Sequence, residues 1–263
     1  MTQSSDRSPF LLSATMVGVC VFVLAPTVLA VLASFGSADQ IVFPPPGWSL
    51  KWYVAAFENE TILRSVWLSG GIAVAVTVIS TIAGTAAAIA INHHNFAGRG
   101  LVKSTLMLPL TLPAIVLGLA ILFALPSLGL KNGPVATAIG HCIICVPYAA
   151  YLVLASLSNY DLTLERASAT LGANRLQTFC WITWPLIKDG IVVSAIFCFL
   201  LSFDNVAISL FLSRGDTLPL RLMQHIQSNA DPSVAAISTA LVMFSVVLMV
   251  PLARAMRPDR LLW

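Results

Sequence analysis

Asp204 is the one acid set deep within a long apolar run of this sequence. Placing an aspartate near the centre of a membrane helix costs about 2.5–3.5 kcal/mol on insertion scales. Such a residue therefore faces either a neighbouring helix, as a hydrogen-bond partner, or a cavity, as a counter-charge for a substrate amine. Trp52 is a second candidate. Its indole face can hold an ammonium group through a cation–π contact worth about 0.5–2 kcal/mol, or it can simply anchor a helix at a membrane interface. Cys142-x-x-Cys145 has redox or metal-site spacing, but it falls inside a hydrophobic run, where buried thiols are inert. The five cysteines (Cys20, Cys142, Cys145, Cys180 and Cys198) form no framework of spaced pairs, which argues against a disulfide scaffold. His93, His94 and His141 have no spacing that makes ligands converge. They read as structural, and no metal site is expected. The chain contains no Gly-Lys dipeptide, so it lacks the phosphate-cradling loop that would hold ATP.

The elements that must position these residues follow from composition. Of 263 residues, 58% are hydrophobic and only 10% charged, and the mean hydropathy is +0.89. Soluble domains carry about 25% charged residues, so lipid must solvate much of this surface. The net charge of +3 is spread along the chain and gives no nucleic-acid footprint. A helical span needs about 20 mostly apolar residues. Six stretches meet that length, at approximately 10–33, 62–91, 101–125, 135–157, 191–212 and 234–253. None alternates as a barrel strand would, so the expected fold is all-α: a single polytopic domain, a membrane bundle of six transmembrane helices. The first run is too long for a signal-peptide core and lacks a small-residue cleavage site, so it reads as a retained span.

With the N-terminus inside, the inner segments hold Arg7, Arg99, Lys103, Arg166, Arg175, Lys188, Arg254, Arg257 and Arg260. The outer ones hold Lys51, Arg64, Lys131, Arg214 and Arg221, completing the 14 basic residues. Nine against five favours cytoplasmic termini. On the outer side, Pro44-Pro45-Pro46-Gly47 forbids helix. After it, Ser49 can cap an interfacial helix over about 49–58. Pro109 and Pro113 should bend the third span, either for packing or to line a path.

The inner loop 159–188 reads as two short helices. Asp161 or Thr163 caps the first, with Glu165 in its first turn. Gly172-Ala173-Asn174 breaks it. The second runs from about Arg175 to Pro185 and presents Leu176, Phe179 and Ile182 on one side, an apolar face that needs a partner.

Leu164-Glu165-Arg166-Ala167-Ser168-Ala169-Thr170-Leu171-Gly172, followed by Ile182-Thr183-Trp184-Pro185, resembles the EAA loop of binding-protein-dependent ABC importer permeases. That pattern has Glu-Ala-Ala, three residues, Gly, nine residues, then Ile-x-Leu-Pro. Phe43–Tyr53, Ser202-Phe203-Asp204-Asn205 and Thr217–Arg221 with Asp231-Pro232 extend the likeness toward the spermidine/putrescine type, its second permease above all. The resemblance implies the type I importer permease fold in the bacterial inner membrane and an ATPase-coupling element containing Glu165, Arg166, Ala167, Ser168, Gly172, Ala173, Ile182 and Pro185. Two departures stand out: Arg166 occupies the place of the family's Glu, with Glu165 one residue early, and Trp184 replaces a Leu. The usual carboxylate contact to the ATPase is thereby put in question. Asn205 and Ala114 stand where polyamine relatives can carry acids, which favours a substrate of lower charge such as a diamine or ω-amino acid.

The resemblance further implies no catalysis and no cofactor in this chain, ATP and Mg²⁺ being bound by a partner. Its partners would be a second homologous permease, two copies of a cytoplasmic ATPase, a periplasmic binding protein and membrane lipid. A rival reading, a stand-alone secondary transporter of small organic cations, calls for internal repeats and intramembrane charges in both halves, and neither is seen. A membrane-embedded enzyme calls for converging nucleophile, base or metal ligands, also absent from the spans.

Overall fold

A computed structural model describes residues 8–40, 42–157, 163–228 and 232–255, whose regular elements are all helices, with no β-strand among them. The helices are α1 (Ser8–Ser34), α2 (Lys51–Glu58), α3 (Glu60–His93), α4 (Arg99–Met107), α5 (Ala114–Ala124), α6 (Pro134–Leu157), α7 (Thr163–Thr170), α8 (Arg175–Thr178), α9 (Trp184–Phe203), α10 (Ser209–Leu212), α11 (Leu218–Ser228) and α12 (Ser233–Ala255). Five helical runs among the described residues are long and apolar enough to cross a membrane. They lie in α1, α3, α6, the continuous stretch Arg175–Phe203, and α12. A sixth run is broken: Arg99–Thr111 and Ala114–Ala124 meet at 105°.

That break follows from its residues. A 3₁₀ turn, Leu108–Thr111, carries Pro109 near its start, Leu112 is extended, and Pro113 sits at the N-terminus of α5. A proline cannot donate within a helix, and it pushes the residue before it out of the helical region. Two prolines four residues apart therefore stop one helix and start the next.

The chain falls into two compact units, one drawn from Met1–Glu60 with Gln224–Phe244 and the other from Thr61–Met223 with Ser245–Trp263. In the first, the segment after α1 folds back on itself. Ser37 N–H donates to Gly47 O at 3.0 Å, Ser49 N–H donates to Phe35 O at 2.8 Å, and the hydroxyls of Ser34 and Tyr53 meet at 2.7 Å. The Ser49 hydroxyl accepts from Lys51 N–H at 3.1 Å, while Leu50 occupies the N-cap position without a side-chain bond. Ser49 thus supports the start of α2 from one residue outside the cap.

The second unit is organised around α6, which packs against α3, α5, α9 and α10. Leu117, Ile121, Ala136, Ile144, Cys145, Cys198, Ile208 and Leu212 form one buried cluster. At the α3–α6 crossing, a Cβ on Gly84 would stand 2.6 Å from Ala149 Cβ and 2.7 Å from Ala150 N. The backbones approach that closely because Gly84 has no side chain and Ala149 and Ala150 carry only methyl groups, the small-residue device of helix packing in lipid. Cys145 and Cys198, both free and buried, point their thiols at each other's carbonyl oxygens, at 3.8 and 3.5 Å. No three His, Cys, Asp or Glu residues converge as metal ligands among the described residues. An apolar cavity of ≈ 940 Å³ lies between α4 and α6, lined by Leu101, Leu106, Ile139 and Val146 among others.

Candidate functional site: the coupling elbow and the broken helix

Two places in the second unit bring polar side chains together. The first is the elbow between α7 and α8. α7 ends in a double hydrogen bond: Gly172 N–H donates to Ala169 O at 3.0 Å and Ala173 N–H to Ser168 O at 3.1 Å. This is the Schellman arrangement, which requires a left-handed residue after the helix. Gly172 supplies it with φ +85°. Asn174 then starts α8 with a reciprocal cap: its side chain accepts from Gln177 N–H at 2.9 Å while Gln177 Oε1 accepts from Asn174 N–H at 2.8 Å. Asp161, the other cap candidate for α7, lies outside the described residues.

α8 does not stop at Pro185, contrary to the expectation from sequence. A π-helical turn, Phe179–Thr183, joins it to α9, with Trp184 N–H donating five residues back to Phe179 O. Proline in a regular helix clashes with the carbonyl four residues earlier. The wider π turn just before Pro185 makes room for it, so the helix passes through. The extra residue also rotates the apolar face apart. Leu176 is exposed, but Phe179 and Ile182 are half-buried, and the Phe179 ring leans toward Trp184 at 6.3 Å.

Glu165 points inward. Its Oε1 accepts from the Thr183 hydroxyl at 2.6 Å and faces His93 Nε2 at 2.9 Å, and its side chain is only 22% exposed. His93 Nδ1 lies 3.0 Å from Ile89 O, so both ring nitrogens face oxygen acceptors. The C-terminal end of α3, α7 and the π turn are thus clasped at one carboxylate. Ser168, the one buried residue of α7, adds a hydroxyl contact to Thr178 at 2.7 Å. Arg166, Ala167, Gly172 and Pro185 are exposed, and Ala173 is half-buried.

The second place is a break in the fifth predicted span. The helix ends at Phe203, and Asp204 is its C-cap (φ −98°, ψ 14°). It sits at a helix end rather than mid-helix, with its side chain exposed. Among the described residues it has no ion-pair partner. Asn205 Oδ1 accepts from Ile208 N–H at 2.9 Å and so restarts the helix into α10. Leu117 and Ile121 of α5 share a cluster with Ile208 and Leu212. The helix that begins at half-buried Ala114 therefore packs beside this restart.

The break is held from both sides by His141, which is 1% exposed. Its Nδ1 lies 2.9 Å from Ser202 Oγ and its Nε2 3.1 Å from Ser209 Oγ. Ser202 precedes the break and Ser209 follows it. From sequence alone, His141 and His93 read as structural. The signal available was a pair of serines seven residues apart flanking Asp204, but their shared partner is 61 and 68 residues away. Replacing His141 with leucine is expected to cost on the order of 1 kcal/mol, because both hydroxyls can turn to their own helix carbonyls. Thermal inactivation of the purified protein would read this as a modest fall in midpoint, with loss of transport exceeding loss of stability.

Trp52, in the other unit, is half-buried and donates its indole N–H to Gly36 O at 3.0 Å. The ammonium of Lys51 lies 4.7 Å from its ring centroid, so a cation from the chain itself already occupies a face of the ring.

Residues 77–257 match the family described as "Binding-protein-dependent transport system inner membrane component". The chain belongs to that family. The permease is 28% identical over 243 residues to the spermidine/putrescine transport system permease protein PotC of Haemophilus influenzae, an alignment covering 92% of this chain and 94% of the relative. It is also 28% identical to the putrescine transport system permease protein PotI of Escherichia coli K12, covering 89% and 85%. Among solved structures, it resembles a chain of a bacterial ABC transporter involved in alginate import, with TM-score 0.68, 15% identity and 97% of each chain covered. The same fold recurs at TM-score 0.58 in the methionine ABC transporter MetNI, with 75% of this chain and 95% of that one covered. This permease is thus a multi-pass inner-membrane subunit of an ABC importer, without enzymatic activity of its own, that works with a binding protein and a separate ATPase.

Proposed function

We propose that this permease forms half of the translocation path for a small amine (polyamine, diamine or ω-amino acid) delivered by a periplasmic binding protein. A second homologous permease completes the path, two ATPase copies bind below, and both termini face the cytoplasm. The relatives' polyamine substrates support the amine class. The observation that carries the reading on this chain is Asp204. A carboxylate without an ion-pair partner among the described residues stands at the C-terminal end of α9, where unpaired carbonyls already amount to about half a negative charge. The helix end and the carboxylate reinforce each other, and what they attract is a cation. Broken helices in transporters bind cations by the same physics. A single exposed carboxylate beside neutral Asn205 and Ala114 suits a substrate of low positive charge.

Asp204→Asn removes the charge and keeps the size. It is expected to lower uptake of the cognate amine about tenfold or more, as one charge-assisted hydrogen bond is worth about 1.5–3 kcal/mol, while the assembled complex is recovered in normal amount. Uptake by Asp204→Asn equal to that of the unaltered protein would remove the counter-charge from the mechanism. Thermal-shift measurement of the binding protein against polyamines and amino acids identifies the substrate.

A further inference from the structure

The elbow presents a docking face whose charge is the reverse of what its acidic motif suggests. Thr163–Thr178 contains three charged residues, Glu165, Arg166 and Arg175. The only acid is withdrawn into the clasp with His93 and Thr183. Arg166 and Arg175 are exposed, and neither takes part in an ion pair among the described residues. Between them the left-handed turn at Gly172 pushes out Leu171, 88% exposed, and α8 shows Leu176, 72% exposed. Among the described residues of the elbow, the surface is therefore two leucines on a rigid, doubly capped turn, flanked by two guanidinium groups and no exposed carboxylate.

The geometry points to a partner groove with an apolar floor and carboxylates at its rim, opposite Arg166 and Arg175, on the ATPase of this importer. The inference rests on the importer reading and adds to it the sign of the interface. Guanidinium is suited to this because its planar fork matches a carboxylate in a two-point contact. Leucines that exposed gain most by entering a dry groove, and rim charges set register and association rate. An anionic lipid surface would also attract arginines, but it is fluid and offers no fixed groove to a turn rigidified by the paired bonds at Gly172 and Asn174.

The test uses the permease co-expressed with its partner subunits and purified as the complex, scored as ATPase retained per permease. For the unaltered complex, retention is expected to fall at least tenfold between low and high ionic strength. R166E/R175E is expected to lower retention at least tenfold at low salt, and R166K/R175K to lower it less than threefold. Retention that is independent of salt, or unchanged within twofold in R166E/R175E, overturns the proposal. The salt series needs no variant, so it decides the matter even where R166E/R175E fails to fold. In nanodiscs of phosphatidylcholine alone against phosphatidylcholine with phosphatidylglycerol, equal retention supports a protein groove. Retention only with the anionic lipid assigns the arginines to the membrane instead. If the unaltered permease retains no ATPase at any salt, it is the importer reading itself that fails.

Discussion

Glu165→Ala is expected to release α7 from the C-terminal end of α3 while leaving the membrane helices folded. The substitution removes the acceptor shared by Thr183 and His93, two side chains that are buried or nearly so. Leaving such groups without their partner costs about 1–3 kcal/mol, which is about 5–150-fold in a local opening equilibrium. Amide hydrogen exchange over 163–170 should accelerate by that factor, with the core of α6 unaffected. His93→Ala should act on the same residues. The effects should be less than additive in the double variant, because the two changes share the loss of the Glu165–His93 contact. Because the elbow is the expected site of ATPase docking, hydrolysis should also respond less to loaded binding protein. Unchanged exchange over α7 would mean that the clasp does not hold the elbow.

The second large effect is at the α3–α6 crossing. Gly84→Leu would drive a branched side chain into the space taken by Ala149 Cβ, Ala150 N and Val146 O, all within 2.9 Å of a Cβ there. Two of those three atoms belong to backbone, which cannot rotate out of the way. Overpacking of this kind costs about 1–3 kcal/mol and at times more. We expect a steep loss of folded protein by gel filtration in detergent and a lowered thermal midpoint. Gly84→Ala should produce a smaller shift of the same sign. A normal midpoint for Gly84→Leu would show that α3 and α6 are free to separate.

How far the sequence foretold these features depended on the range of the interaction behind each. Apolar runs long enough to span were visible because length and composition alone define them. The break at Pro109 and Pro113 was visible because proline acts on its own neighbours. Gly172 was recognisable for the same local reason. Pro185 misled because a helix can widen into a π turn to admit a proline, and that choice is made by packing around Thr183 rather than by the proline. The end of α9 at Asp204 was hidden inside an evenly apolar run, since hydropathy registers composition and not a cap. The clasp was out of reach altogether: Glu165 and His93 are 72 residues apart, and nothing in either neighbourhood names the other. The same holds for His141 and its two serines. Side chains that meet only through the fold leave no local mark.

The passage of α8 into α9 without a stop makes Arg175–Phe203 a single rod of 29 residues, roughly 40 Å long at 1.5 Å per residue. One end lies at the elbow and the other at Asp204. A stiff helix does not dissipate a push along its axis: what shifts Trp184 shifts the carboxylate at the far end by a comparable distance. The wide turn at Phe179–Thr183 is the one compliant joint in it, where an extra residue can be taken up or given back. On the proposed reading, in which the elbow meets the ATPase and Asp204 faces the amine, the two are joined by a push-rod, with its slack set beside the clasp and not beside Asp204.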